Sequence, residues 1–244
     1  MLKGTDLYRH VVIVGSSSEI GIAILSKLHY SDNAEVTVIG KKAPKEINFE
    51  GAKVKVEFFE CNLEIFEELQ KLDLKLSTLP NIDLAIIAAG YLPPENQELD
   101  VQIVHKTMMI NTVGVVSALS SLVSRMHHQN YGLILYLSTV AAVRPRSRNF
   151  TYGSSKSAAD FYAQGLAFKY KSAGLKIKIL RPGFIFTKMT ENFKPAPFAL
   201  SKEELARIAI ELIKAKRQTG YAPKILQYIF LILRRLPLII YGKL

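Results

Sequence analysis

VVIVGSSSEIG, residues 11–21, reads as a strand that runs through a glycine turn into a helix. Four β-branched apolar residues in a row suit a strand buried on both faces, and Gly15 opens a turn of small residues ahead of a helix starting at Glu19. The free amides and positive end of such a helix suit a pyrophosphate. Gly15, Ser17, Ser18, Glu19, Ile20 and Gly21 are therefore the first candidate ligand contacts. Small-residue turns after strands are common, so this one gains meaning only from what surrounds it.

Further apolar runs follow at residues 35–39, 54–58, 82–88, 133–137 and 177–180. Helix-length segments with periodic apolar faces lie at 19–30, 63–76, 97–109, 112–128, 152–172 and 202–216. This alternation predicts an α/β fold: a single Rossmann-type, doubly wound parallel sheet with helices on both faces. At 244 residues and 49% hydrophobic content, one domain over residues 1–222 suffices. Residues 181–200, rich in proline, leave the last strand at its carboxyl end and read as a substrate loop or a plain connection. Residues 223–244 form a basic apolar C-terminal tail.

The single Cys61 excludes an intramolecular disulfide and fits a reducing compartment. Ahead of the first strand there is no signal-peptide pattern, so the expected location is cytoplasmic or peripheral at the plasma membrane. A net charge of +11, from 32 basic and 21 acidic residues, favours anionic partners such as cofactor phosphates or anionic lipid. Nucleic acid is not expected, because the basic residues are dispersed and no helix-turn-helix, RNA-binding sheet or zinc-finger spacing occurs. A metal is not expected either: His127 and His128 lack partners at ligand spacing, and no Gly-x-Ser-x-Gly elbow suggests a serine hydrolase.

The second strand ends in VIGKKAP, where an acidic residue would usually accept bonds from the adenosine ribose of NAD. Lys41 and Lys42 stand there instead, as a site for the 2′-phosphate of NADPH or as two solvated lysines. Asn62 past the third strand suits the adenine, Ala89 and Gly90 a small-residue floor, and Pro182, Gly183 and Thr187 the nicotinamide end. Ser138 closes the fifth run, and Tyr152 and Lys156 fall four apart on one helix face, where the ammonium would favour the phenolate. Three groups then converge on one substrate oxygen, as redox chemistry on an alcohol or ketone requires.

With these residues in order, the chain resembles the short-chain dehydrogenase/reductase family over residues 11–187. Gly15 and Gly21 match its glycine turn, Asn111 in INTVG its helix asparagine, Ser138, Tyr152 and Lys156 its catalytic set, and Pro182, Gly183 and Thr187 its closing motif. Glu19 in place of the middle glycine, Ala88 and Ala89 in place of paired asparagines, and Asn62 in place of an aspartate depart from the pattern. The resemblance implies reduction of a ketone by NADH or NADPH, in dimers or tetramers. Tyr152 would be the general acid, Ser138 would stabilise the developing alkoxide, and Lys156 would lower the Tyr152 pKa and bond the nicotinamide ribose. Asn111 would order a water that restores the proton.

A narrower likeness runs through SSEIGIAI, RPRSRNFTYGSSK, RPGFIFTKMT and FLILRRLP. These strings look like the reductases of decaprenylphosphoryl-2-keto-ribose. That branch implies a lipid-linked sugar substrate, a flavoprotein oxidase that makes the ketone, a place in cell-wall arabinan synthesis, and NADH as the donor. Arg144, Arg146 and Arg148 then suit the substrate phosphodiester, or form a solvated basic loop. The tail, with paired arginines and a proline, suits an anionic membrane interface or packing into a subunit interface or cleft. A generic reductase of another lipid or small ketone is the alternative, and a non-catalytic dinucleotide-binding protein a further one.

Overall fold

The computed structural model describes residues 7–44 and 46–241, with Leu238 by its backbone alone. β1 (Tyr8–Val14) is an interior strand of a seven-stranded parallel sheet. On one side it pairs with β2 (Tyr30–Gly40), which pairs with the edge strand β3 (Val54–Glu60). On the other side follow β4 (Leu84–Ile87), β5 (Leu133–Leu137), β6 (Lys176–Pro182) and, last in space, β9 (Thr219–Ala222). The order is β3-β2-β1-β4-β5-β6-β9, so strand order reverses between β1 and β4. A reversal of this kind opens a crevice at the carboxyl ends of the strands, where ligands bind.

Alternation along β1 explains the two layers. Val12 and Val14 join one core with residues of α2 (Phe66–Thr78), α4 (Val115–Met126) and α5 (Phe150–Lys169). Val11 and Ile13 join the other with α1 (Glu19–Leu25) and α6 (Lys202–Lys214). Both faces of the central strands are thus dry, as their continuous apolar runs require.

Four local features differ from the sequence reading. The sheet has a seventh strand, β9, in a stretch whose TGYA carries too few apolar residues to signal one; its register is set by pairing with β6, from Ile179 with Thr219 to Pro182 with Ala222. α1 stops at Leu25, five residues early, because Tyr30 turns into β2 and its hydroxyl donates to the Leu25 carbonyl at 2.8 Å. The two helices expected on either side of residue 110 are one rod. α3 (Val101–Met108) passes through a π-helical turn (Met109–Gly114) into α4. Within residues 181–200 lie β7 (Ile185–Phe186), a 3₁₀ turn (Lys188–Thr190) and the start of β8 (Leu200–Ser201), and β7 and β8 pair with each other. The tail supplies α7 (Ile225–Leu233) and α8 (Leu238–Tyr241).

Candidate active site

The site is built where α5 crosses the carboxyl end of β5. A 3₁₀ turn (Val140–Ala142) follows β5 directly, and Gly153 lets α5 settle on it: a Cβ there would sit 3.0 Å from the Ala141 carbonyl oxygen. Tyr152, Lys156 and Asp160 then form a stripe at i, i+4 and i+8 along α5. They engage three consecutive residues. The Thr139 hydroxyl faces Tyr152, the Ser138 hydroxyl donates to Asp160, and the Lys156 Nζ donates to the Leu137 carbonyl at 2.8 Å.

Burial pushes the half-buried Tyr152 phenol up to about 12, and the Thr139 hydroxyl works against that rise. Burial brings the Lys156 ammonium down to about 8, with the charge of Asp160 opposing the fall. The expected lowering of the Tyr152 pKa by Lys156 is not what the structure has. A desolvated ammonium needs a strong acceptor, and Lys156 finds it in the end of β5, with Nζ 4.7 Å over the Tyr136 ring.

Asp160 was not among the residues singled out from the sequence. Its carboxylate, 3% exposed, accepts from the Arg181 Nε at 2.9 Å, from the Arg181 Nη2 at 2.6 Å and from the Gln164 Nε2 at 2.7 Å, besides Ser138. Burial works against the Arg181 charge, but the hydrogen bonds and charge of Asp160 outweigh it and hold the guanidinium more firmly protonated than usual. Arg181 also reaches the Tyr221 hydroxyl of β9 at 3.0 Å. The only signal in the sequence was an acid on a helix face otherwise lined by Ala159, Ala163 and Ala167. Beside Ser138, the fully buried Tyr136 hydroxyl makes no hydrogen bond of ordinary geometry.

Asn111 occupies the π-helical turn and is fully buried. Its Oδ1 accepts from the Tyr91 amide at 2.7 Å, while its Nδ2 donates to the Tyr91 carbonyl at 2.8 Å and to the Ser155 hydroxyl at 3.0 Å. These bonds clamp the loop after β4 to α5, and π-helical turns recur at functional sites because they re-aim a side chain out of register. A Cβ on Gly90 would meet only the Asn111 Oδ1 at 3.5 Å and the Lys156 Nζ at 3.9 Å, so an unobstructed ledge faces the ammonium.

The glycine turn lies against the same end of the sheet. Gly15 adopts φ +115, and a Cβ on it would come 2.6 Å from the Ala89 amide nitrogen, so no larger residue fits. Ser18 caps α1 by accepting from the Gly21 amide at 3.1 Å, and Ser17 is exposed. Ile20 packs into the core beneath. Glu19 turns across the crevice: its Oε2 accepts from the Lys188 amide at 2.6 Å and its Oε1 pairs with Lys202 at 3.2 Å. Lys41 and Lys42 are exposed immediately beyond β2, and neither meets an acidic partner among the described residues. The Asn62 Oδ1 accepts from the Glu64 amide at 3.2 Å. Gly183 is less free than expected, since its amide donates to the Ala222 carbonyl at 2.9 Å. Thr187 forms a capping box with Thr190.

Of the three arginines, two are committed to the tail. Arg144 donates to the carbonyls of Arg234 at 3.0 Å and Leu236 at 2.7 Å and lies 4.6 Å over the Tyr241 ring, so this guanidinium is not the open phosphate ligand expected. Exposed carbonyls at the end of α7 attract it. Arg146 lies 5.5 Å over the Phe230 ring, and Arg148 alone is exposed without a partner among the described residues. Leu226 and Phe230 of α7 bury against Val140, so the tail forms a wall beside the site. Among the described residues, no three His, Cys, Asp or Glu side chains gather to hold a metal.

The fold agrees with that of known proteins. A solved short chain dehydrogenase from Burkholderia cenocepacia in complex with NADP superposes with a TM-score of 0.80 at 16% identity, covering 97% of each chain. An uncharacterized oxidoreductase of Mycobacterium tuberculosis is 30% identical over 164 residues, which span 66% of this chain and 66% of that relative, just under two thirds of its length. A very-long-chain 3-oxoacyl-CoA reductase of Anas platyrhynchos is 29% identical over 117 residues, 48% of this chain and 38% of that protein. A family model described as short chain dehydrogenase matches residues 9–197, from β1 through the turn that follows β7 and including every residue of the α5 stripe. This chain belongs to the short chain dehydrogenase family of oxidoreductases.

Proposed function

We propose that this chain reduces a ketone to a secondary alcohol, with Tyr152 as the proton donor. The observation that carries the reading is the stripe of α5, which brings Tyr152 and Lys156 onto the end of β5 beside Ser138. A phenol held at about 12 keeps its proton throughout the physiological range, the form a general acid for reduction needs. Asn111 clamps the loop that carries the Gly90 ledge, and Lys156 stands at the edge of that ledge. Gly15, Ser17, Ser18, Gly90 and Lys156 would hold the dinucleotide. NADPH, when bound, supplies the hydride to the carbonyl carbon.

The phosphorylated form of the dinucleotide is favoured because two exposed lysines, and no acid, follow β2. NADP in the Burkholderia cenocepacia structure is in keeping with this choice. With NADPH, kcat/KM should exceed the NADH value by at least about 10-fold, the worth of one charge-assisted contact, and Lys41→Ala with Lys42→Ala should lower the NADPH value alone. A preference for NADH that survives both substitutions sinks the assignment.

For the substrate, the strings RPRSRNFTYGSSK and RPGFIFTKMT support the 2-keto group of a decaprenylphosphoryl pentofuranose, made from a ribose hydroxyl by a flavoprotein oxidase. The tail supports a lipid-held substrate. While Leu226 and Phe230 face inward, Ile225, Tyr228, Leu231 and Ile232 of α7 and Ile239 and Ile240 of α8 are exposed, and Arg234 and Arg235 follow α7. An apolar face with a basic end suits an anionic bilayer interface, which would bring the site to its substrate.

A further inference from the structure

Glu19 stands on the glycine turn, the place that a dinucleotide pyrophosphate approaches in this kind of fold. A carboxylate there meets a phosphate as a like charge. Its side chain leaves the turn and places both oxygens across the crevice, where Oε2 accepts from the Lys188 amide at 2.6 Å and Oε1 pairs with the Lys202 ammonium at 3.2 Å. A backbone amide and an ammonium converging on one anion are also the donors by which proteins hold phosphate oxygens. The bond from the Lys188 amide, helped by Lys202, keeps the carboxyl below its ordinary range and therefore ionised at neutral pH.

Lys202 is held in place from behind. It is the first residue of α6, whose start is fixed by a capping box: Ser201 accepts from the Glu204 amide at 3.2 Å, and Glu204 accepts from the Ser201 amide at 2.8 Å. A cation in the first turn of a helix opposes the macrodipole, so what this ammonium gains lies outside α6, in an anion. The pair it forms is not sealed. With side chains 37% and 26% exposed, Lys202 and Glu19 can change partners without unpacking the core. Resting on the dinucleotide reading above, we infer that Glu19 is a stand-in anion and Lys202 a ligand of the dinucleotide pyrophosphate. Without a dinucleotide the Glu19 carboxylate occupies both donors; the incoming pyrophosphate displaces it and takes Lys202. Displacement lowers the apparent affinity, because only the fraction of chains with Glu19 swung away is competent to bind. It also replaces one tether of the turn Lys188–Thr190 by another, so that the turn closes on the dinucleotide instead of on Glu19.

The test is dinucleotide binding by the full chain, followed by nicotinamide fluorescence. The dissociation constant should fall at least about threefold in Glu19→Gln, which keeps the shape and removes the charge, and rise at least about 10-fold in Lys202→Met, the worth of one charge-assisted contact. Each change should be of the same size for NADH and NADPH, which share the pyrophosphate, whereas Lys41 and Lys42 act on NADPH alone. Hydrogen exchange reads the change of partners directly: amides at 187–190 should exchange faster in Glu19→Ala than in wild type without dinucleotide, and equally fast in the two at saturation. Unchanged affinity in Lys202→Met, weaker binding by Glu19→Gln, an effect of Lys202→Met confined to NADPH, or a difference in exchange that persists at saturation overturns the proposal. Equal binding by wild type, Glu19→Gln and Lys202→Met removes the proposal alone, whereas binding of neither dinucleotide by any of the three removes the dinucleotide reading and the proposal with it.

Discussion

Lys156 shows how one residue carries both stability and function. Its ammonium is buried against the Tyr136 ring and brought down to about 8 from an ordinary 10.5. Below pH 8 both folded and unfolded chains hold the proton, and folding bears the whole cost of burying the charge. As pH rises from 8 toward 10.5, the folded protein releases the proton first, so the unfolded chain binds more protons and stability grows. Subtracting the unfolding free energy of Lys156→Met isolates this titration: the difference, wild type minus variant, should rise with pH by on the order of 3 kcal/mol between pH 7 and 10.5. A flat difference, measured by denaturant unfolding across that range, contradicts the burial of a charged Lys156. The spacing of Ser138, Tyr152 and Lys156 was legible in the sequence because a helix dictates which residues share a face. What the hydroxyl and ammonium bond to was not, because Leu137, Asp160 and Arg181 are brought together only by β5, α5 and β6 in register.

Elements were readable where apolar runs are long and unreadable where pairing alone creates them. Both faces of β1 announce themselves in VVIV, whereas β9 and the pair β7 and β8 are four residues or fewer and exist by docking on neighbours. Glu19 ties together elements that lie far apart in the sequence. Standing where the family has a glycine, it joins the start of α1 to the 3₁₀ turn Lys188–Thr190 and to Lys202 of α6, and its carboxyl is lowered chiefly by the bond from the Lys188 amide. Replacing it by alanine should free that turn while leaving the sheet intact. Hydrogen exchange of the amides at 187–190 should quicken about 10-fold in Glu19→Ala, the loss of roughly one charge-assisted hydrogen bond, with β1 and β4 unchanged. Unchanged exchange at 187–190 would show that β7 and β8 hold the turn without Glu19.

At the scale of the whole molecule, the tail is divided between two environments. Its basic apolar character was plain in the sequence, but the division was not, because the inner face is defined by Val140 and by Arg144 reaching the carbonyls of Arg234 and Leu236. The inward half should stabilise the fold and the outward half should seek lipid. Full-length protein should float with vesicles containing anionic phospholipid and release them as salt rises, and Ile232→Ser with Ile239→Ser, both on the exposed face, should abolish flotation without unfolding. Flotation that survives both changes would assign the exposed face to something other than a bilayer. Substrate, membrane and dinucleotide all converge on one claim, that Tyr152 gives a proton to a ketone oxygen at the end of β5. The direct measurement is turnover of the polyprenyl-phosphate 2-keto-pentofuranose, with NADPH and NADH tested separately, by wild type and by Tyr152→Phe. Wild type should form the arabino alcohol and the variant should fall by at least about 100-fold, the range for loss of a general acid, while its dinucleotide affinity holds. No product from wild type with either dinucleotide, or near-normal turnover by Tyr152→Phe, would contradict the account.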